Sequence, residues 1–60
     1  MGIFDTLSAI LAANIYSGKV MNTESAMTEG ARDLVSARGF KANAKSIKCI
    51  VEGAQKYLSR

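Results

Sequence analysis

The stretch that decides the fold runs from Asn43 to Leu58 and reads Asn-Ala-Lys-Ser-Ile-Lys-Cys-Ile-Val-Glu-Gly-Ala-Gln-Lys-Tyr-Leu. Its large apolar side chains recur at the i, i+3, i+4, i+7 spacing of one helix face. That face comprises Ile47, Ile50, Val51, Ala54, Tyr57 and Leu58. The opposite side of the same helix is polar and mostly basic. The stretch therefore predicts an amphipathic helix over residues 43–58, whose apolar face must pack against another part of the chain.

A second amphipathic helix is predicted from Ile3 to Tyr16. Its apolar residues collect within an arc of roughly 140°, which makes a broad apolar stripe. The stripe comprises Ile3, Phe4, Leu7, Ile10, Leu11 and Ile15. Polar or small residues such as Asp5 and Ser8 are expected to cover the remaining, solvent-facing side. Gly18 follows directly, and glycine accepts the left-handed conformation that ends helices.

The middle of the chain predicts a helix from Thr23 to Arg38 with a thin apolar stripe. The stripe comprises Met27, Ala31, Leu34 and Val35. Asn22 or Thr23 can cap its start, and Asn43 can cap the last helix. The feeble alternation between residues 16 and 22 also leaves a short strand open there.

The Arg38-Gly39-Phe40 triplet is the clearest stop signal in the sequence. Gly39 can take the left-handed position, with Phe40 folding back on Val35 in a Schellman motif. The connection to Asn43 is short, so the second and third helices are expected to be neighbours.

Two glycines lie inside predicted helices, beside the apolar stripes, although glycine costs about 1 kcal/mol there relative to alanine. We interpret Gly30 and Gly53 as points where helices approach each other closely. Cys49 lies one turn before Gly53, and we expect it to be a small, partly buried packing residue.

The predicted fold class is therefore all-α: a single small three-helix domain, residues 1–60, with helices near 3–16, 23–38 and 43–58. An amphipathic N-terminal helix packs on a helical hairpin. With 60 residues, the chain is near the size at which one core is only marginally sufficient. One cysteine and no histidine exclude an internal disulfide and a zinc cage within one chain. We therefore expect association with another chain, and the sequence leaves open whether oligomerisation completes the core.

The sequence predicts no catalytic, cofactor-binding or metal-binding residue. No histidine is present to act as a general base, and Cys49 has no candidate partner that would make it a thiolate. The five acidic residues each suit a helix start or a solvated face. The five glycines are too scattered to form a phosphate-binding loop.

These features favour a non-enzymatic protein–protein interaction or self-assembling module that acts through apolar helix faces. Its partner would be another protein or further copies of itself. The predicted interaction face is the stripe of the first helix: Ile3, Phe4, Leu7, Ile10, Leu11 and Ile15.

Two alternatives stay open. A DNA-associated regulator would use a lysine-lined face of the last helix, and the net charge of +3 permits this. That face comprises Lys41, Lys45, Lys48 and Lys56. The third hypothesis is a membrane-surface protein anchored by the first helix, although that helix lacks the basic residues that attract anionic lipid. The single free cysteine and the absence of a run of about 18 apolar residues lead us to expect a cytoplasmic location.

Overall fold

The computed structural model describes residues 2–59 and contains three helices: α1 (Ile3–Tyr16), α2 (Glu24–Ala37) and α3 (Ala44–Leu58). No strand occurs within this range, and residues 17–23 form a turn in place of the short strand left open there. The predicted all-α, three-helix fold is confirmed, and each boundary lies within one residue of its predicted position. The predicted domain of residues 1–60 includes one residue at each end that lies outside the described range.

Side-chain caps begin the second and third helices. The hydroxyl of Thr23 accepts a hydrogen bond from the backbone N–H of Ala26 at 3.2 Å. The side-chain oxygen of Asn43 accepts one from the N–H of Ser46 at 2.8 Å. Each bond satisfies an N–H that has no partner within its helix. Thr23 and Asn43 thus cap their helices from just outside, which is why α2 and α3 begin one residue later than predicted.

The helix ends follow the glycine signals. Gly39 has φ +80°, and the N–H of Phe40 donates to the carbonyl of Val35 at 3.1 Å. The N–H of Gly39 donates to the carbonyl of Ser36 at 3.0 Å, which completes a Schellman motif. Gly18 ends α1 with the same pattern and φ +85°. The Phe40 side chain itself is half-exposed, so the backbone motif accounts for this stop and the ring adds little burial.

One core lies between the three helices. Its largest fully buried side chains are Leu7, Leu11, Met27, Val35 and Ile50. The most extensive helix contact joins α1 to α3, the two helices with the stronger predicted apolar faces. The beginning of α1 lies beside the middle of α3 at Asp5 and Cys49, and the ends of the two helices meet at Tyr16 and Tyr57, so α1 and α3 run in the same direction.

The α1–α3 contact is closest where Ser8 faces Gly53. Ser8 is only 3% exposed, and its hydroxyl donates to the backbone carbonyl of Ile50 at 3.1 Å. A Cβ atom on Gly53 would lie 2.8 Å from the Cβ of Ser8 and even nearer its hydroxyl oxygen. The interpretation of Gly53 as a close-contact glycine is confirmed. The expectation that Ser8 lies on the solvent side is wrong, because a small side chain whose hydroxyl is hydrogen-bonded can be buried.

Gly30 marks the corresponding close approach between α2 and α1. A Cβ atom there would lie 3.0 Å from Cδ1 of Leu11 and 3.5 Å from Cγ2 of Val20, in the connection that follows α1. The prediction of close contact is confirmed here too. Cys49, in contrast, is exposed, so the expectation of partial burial is wrong. Gly53 and Ser8 fill the centre of the helix crossing, and Cys49 lies at its rim beside them.

The two helical glycines differ in a testable way. Gly53→Ala should lower the free energy of unfolding by about 1–3 kcal/mol, because the added methyl group must push α1 away from α3. The tightest contact of the added Cβ in Gly30→Ala is with the flexible end of Leu11, and Val20 lies at ordinary contact distance, so the matched control should change stability by less than about 1 kcal/mol. Urea unfolding followed by circular dichroism measures both. Equal effects of the two substitutions would contradict a special role for the α1–α3 crossing.

Candidate functional site

The predicted interaction face of α1 is largely used inside the chain. Leu7 and Leu11 are fully buried against α2 and α3. Three further members, Phe4, Ile10 and Ile15, are partly buried against the same core. Ile3 is 39% exposed. Only the edge of the face is therefore accessible, because the apolar pattern predicts burial but does not distinguish the chain's own helices from another chain.

The four lysines of the predicted basic face, Lys41, Lys45, Lys48 and Lys56, are all exposed. Lys48 lines a groove that also contains Glu24 and Glu52, whereas Lys56 lines a depression that contains Asp5 and Glu52. Acidic side chains thus accompany the basic ones on both sides of α3.

A groove of about 570 Å³ lies between α2 and α3 and is called here the α2–α3 groove. Its floor contains the nearly buried side chains of Ile47 and Val51. Its walls carry charged and polar side chains from both helices: Glu24, Thr28, Arg32, Lys48, Glu52 and Gln55. The groove combines a narrow apolar floor with walls that carry charges of both signs.

A second concavity of about 460 Å³ lies where the C-terminal ends of α1 and α3 meet. Two tyrosines flank it: Tyr16, which is 86% exposed, and Tyr57, which is 41% exposed. We call it the tyrosine depression, and it is lined by Ala12, Ala13, Tyr16, Ser17, Tyr57 and Leu58. Sequence analysis missed Tyr16 as a surface residue. Its position at the end of a predicted helix was visible, but its proximity to Tyr57 depends on the parallel course of α1 and α3.

A third concavity, of about 290 Å³, surrounds the exposed Cys49. Asp5, Glu52 and Lys56 also line it. Within residues 2–59, no group of three or more histidine, cysteine, aspartate or glutamate side chains is placed to hold a metal ion. Every buried side-chain oxygen or nitrogen in the same range has a hydrogen-bond partner. The described side chains therefore leave no unpaired buried polar group aimed into a cavity.

Because Leu11 is buried, a charged side chain at this position should destabilise the fold. Leu11→Asp would place a carboxylate in the core, which costs several kcal/mol when no partner is present. A chain of 60 residues has only about 3–9 kcal/mol of stability at roughly 0.05–0.15 kcal/mol per residue. We expect Leu11→Asp to lose its helical circular dichroism, whereas Ile3→Asp, at the accessible edge, stays folded. A cooperative thermal transition in Leu11→Asp would show that this side chain is not a core residue.

Among the described residues, none of the helices is long and apolar enough to cross a membrane. Comparison with protein-family models, with curated proteins and with solved structures finds no match for this chain. A function must therefore be inferred from the surfaces of the chain.

Proposed function

We propose that this protein is a non-catalytic protein-interaction module that binds a protein partner over the tyrosine depression. The observation that carries the proposal is the exposure of Tyr16 beside an otherwise apolar hollow. A tyrosine offers a large apolar ring and a polar hydroxyl at little conformational cost, which is why tyrosine is enriched at protein interfaces. The small side chains of Ala12 and Ala13 leave room beside the ring for a side chain of the partner.

The expected energetics fit a binding surface. An aromatic side chain buries about 150–250 Å² when it is covered, and most of the Tyr16 side chain is available for burial. Aromatic residues that fill the centre of an interface commonly contribute about 2 kcal/mol or more to binding. The depression is built on two packed helices, so little backbone ordering is needed when a partner binds.

A reducing compartment such as the cytoplasm accords with this proposal. Cys49 is a free thiol on the surface of α3. In an oxidising compartment such a thiol would be open to pairing with other thiols, whereas glutathione and thioredoxin keep cytosolic thiols reduced.

Tyr16→Asp tests the proposal, because a carboxylate at the centre of the contact must be desolvated when the partner covers it. Chemical cross-linking in cell extract followed by mass spectrometry should show that proteins cross-linked to the wild type are lost with Tyr16→Asp, with binding weakened at least roughly ten-fold. Met21→Asp is the matched control, since Met21 is also exposed but does not line the depression. If the wild type, Tyr16→Asp and Met21→Asp are all cross-linked to the same set of proteins, the proposal is refuted.

DNA association is the second candidate, supported by the exposure of all four lysines of the basic face. Retention on duplex DNA should then fall steeply with salt, by a slope of about −0.9 per phosphate neutralised in the double-logarithmic plot. Lys45→Glu combined with Lys48→Glu should abolish retention. Lys19→Glu, which changes an exposed lysine outside that face, should leave most of it. Retention that does not depend on salt, or no retention at all, would rule this candidate out.

A further inference from the structure

The positive charge of this chain is concentrated in one segment. Residues 34–51 contain four basic side chains and no acidic one, which gives the segment a formal charge of +4. The basic residues are Arg38, Lys41, Lys45 and Lys48. The rest of the chain has four basic and five acidic side chains, so the segment accounts for all of the net charge of +3. A charge asymmetry of this kind indicates an anionic partner for the segment.

The connection between α2 and α3 lies at the centre of this segment. Every residue from 36 to 45 is exposed. The backbone N–H of Phe40 donates to the carbonyl of Val35 at 3.1 Å, and Asn43 accepts a hydrogen bond from the N–H of Ser46 at 2.8 Å. Because hydrogen bonds hold the connection at both ends, little backbone ordering is needed when a ligand binds there.

Phe40 provides the single large apolar side chain of the connection, and it is 48% exposed. Arg38 lies two residues before it, and Lys41 follows it directly. Neither basic side chain forms an ion pair with another residue that the structure describes. The connection thus carries an accessible aromatic ring with an unpaired cation on each side of it in the sequence.

Lys45 adds a cation where the helix itself disfavours one. It lies in the first turn of α3, next to the positive end of the helix dipole. The first turns of α1 and α2 instead contain the acids Asp5 and Glu24, and that of α3 contains none. A residue that breaks a local rule of stability is expected at a functional site. The start of α3 therefore extends the positive charge of the connection.

We propose that this connection binds single-stranded nucleic acid, with a base stacked on Phe40 and the adjoining phosphates neutralised by Arg38, Lys41 and Lys45. The inference rests on the second candidate function above, DNA association, and adds to it a stacking residue and a preference for single strands. Proteins that bind single strands combine basic side chains with aromatic rings on which bases stack. A nucleotide chain has a phosphate on each side of a base, which matches a ring between two cations.

Other anionic partners match the connection less well. In a duplex the bases are stacked on each other, so the ring of Phe40 would find no free base. Surface anchors of membranes insert several large apolar side chains, whereas the connection offers one ring. An acidic peptide would neutralise the cations, but its carboxylates provide no flat ring to cover Phe40.

Fluorescence anisotropy of a labelled single-stranded oligodeoxynucleotide of mixed sequence tests the inference on the full chain. The same sequence as a duplex should bind at least about five-fold more weakly. Phe40→Ala should weaken single-strand binding at least about five-fold, which corresponds to about 1 kcal/mol of base stacking. Phe40→Trp should keep the affinity. Met21→Ala is the matched control, since Met21 is an exposed apolar residue of the other connection.

Lys45→Glu tests the cations with a variant that should not lose its fold. A carboxylate suits the first turn of a helix, so the midpoint of urea unfolding should rise. Single-strand binding should nevertheless weaken at least about ten-fold, because a phosphate contact is replaced by repulsion. Lys19→Glu, which changes an exposed lysine outside the segment, should bind within about two-fold of the wild type.

The two tests separate this inference from the functions proposed above. Equal affinity for single strand and duplex, unchanged by Phe40→Ala, overturns the inference and leaves salt-dependent DNA association standing. No binding to either oligonucleotide overturns both. Equal competition by polyglutamate, or binding to vesicles of anionic lipid in place of the oligonucleotide, also overturns the inference. The Tyr16→Asp test of the interaction module is independent of all these results.

Discussion

The contact between Ser8 on α1 and Gly53 on α3 constrains the rest of the structure. Two helix backbones approach closely only where side chains are small, and the missing side chain of Gly53 provides that space. The Ser8 hydroxyl occupies it and is hydrogen-bonded to the carbonyl of Ile50, so the buried polar atom is satisfied. Leu7 and Leu11 are fully buried in the same core, and α1–α3 is its most extensive helix contact.

The same contact determines which surfaces exist. Because α1 and α3 run in the same direction, their C-terminal tyrosines meet and form the tyrosine depression. The α2–α3 groove is lined mainly by α2 and α3 and carries both acidic and basic side chains. The residues that line the two concavities do not overlap.

Most of the interaction face predicted on α1 is inaccessible because its central apolar side chains lie in the chain's own core. A chain of this length has few large apolar side chains, and its own core takes the central ones from α1. The large side chains of α1 that stay accessible lie either at the edge of the apolar stripe, such as Ile3, or at the end of the helix, such as Tyr16.

Local patterns in the sequence determined the secondary structure of this protein. The helix spacing of Ile47, Ile50 and Val51, the cap at Asn43 and the left-handed Gly39 each act over a few residues, so they were predictable without the fold. The sequence likewise marked Gly30 and Gly53 as close contacts. Only the tertiary structure decided that Ser8 is buried and that Cys49 is exposed. It also decided that Leu7 and Leu11 of α1 are buried in the core of their own chain. Those outcomes depend on which helix covers which face, and the pairing of faces is set by long-range packing that no local spacing encodes.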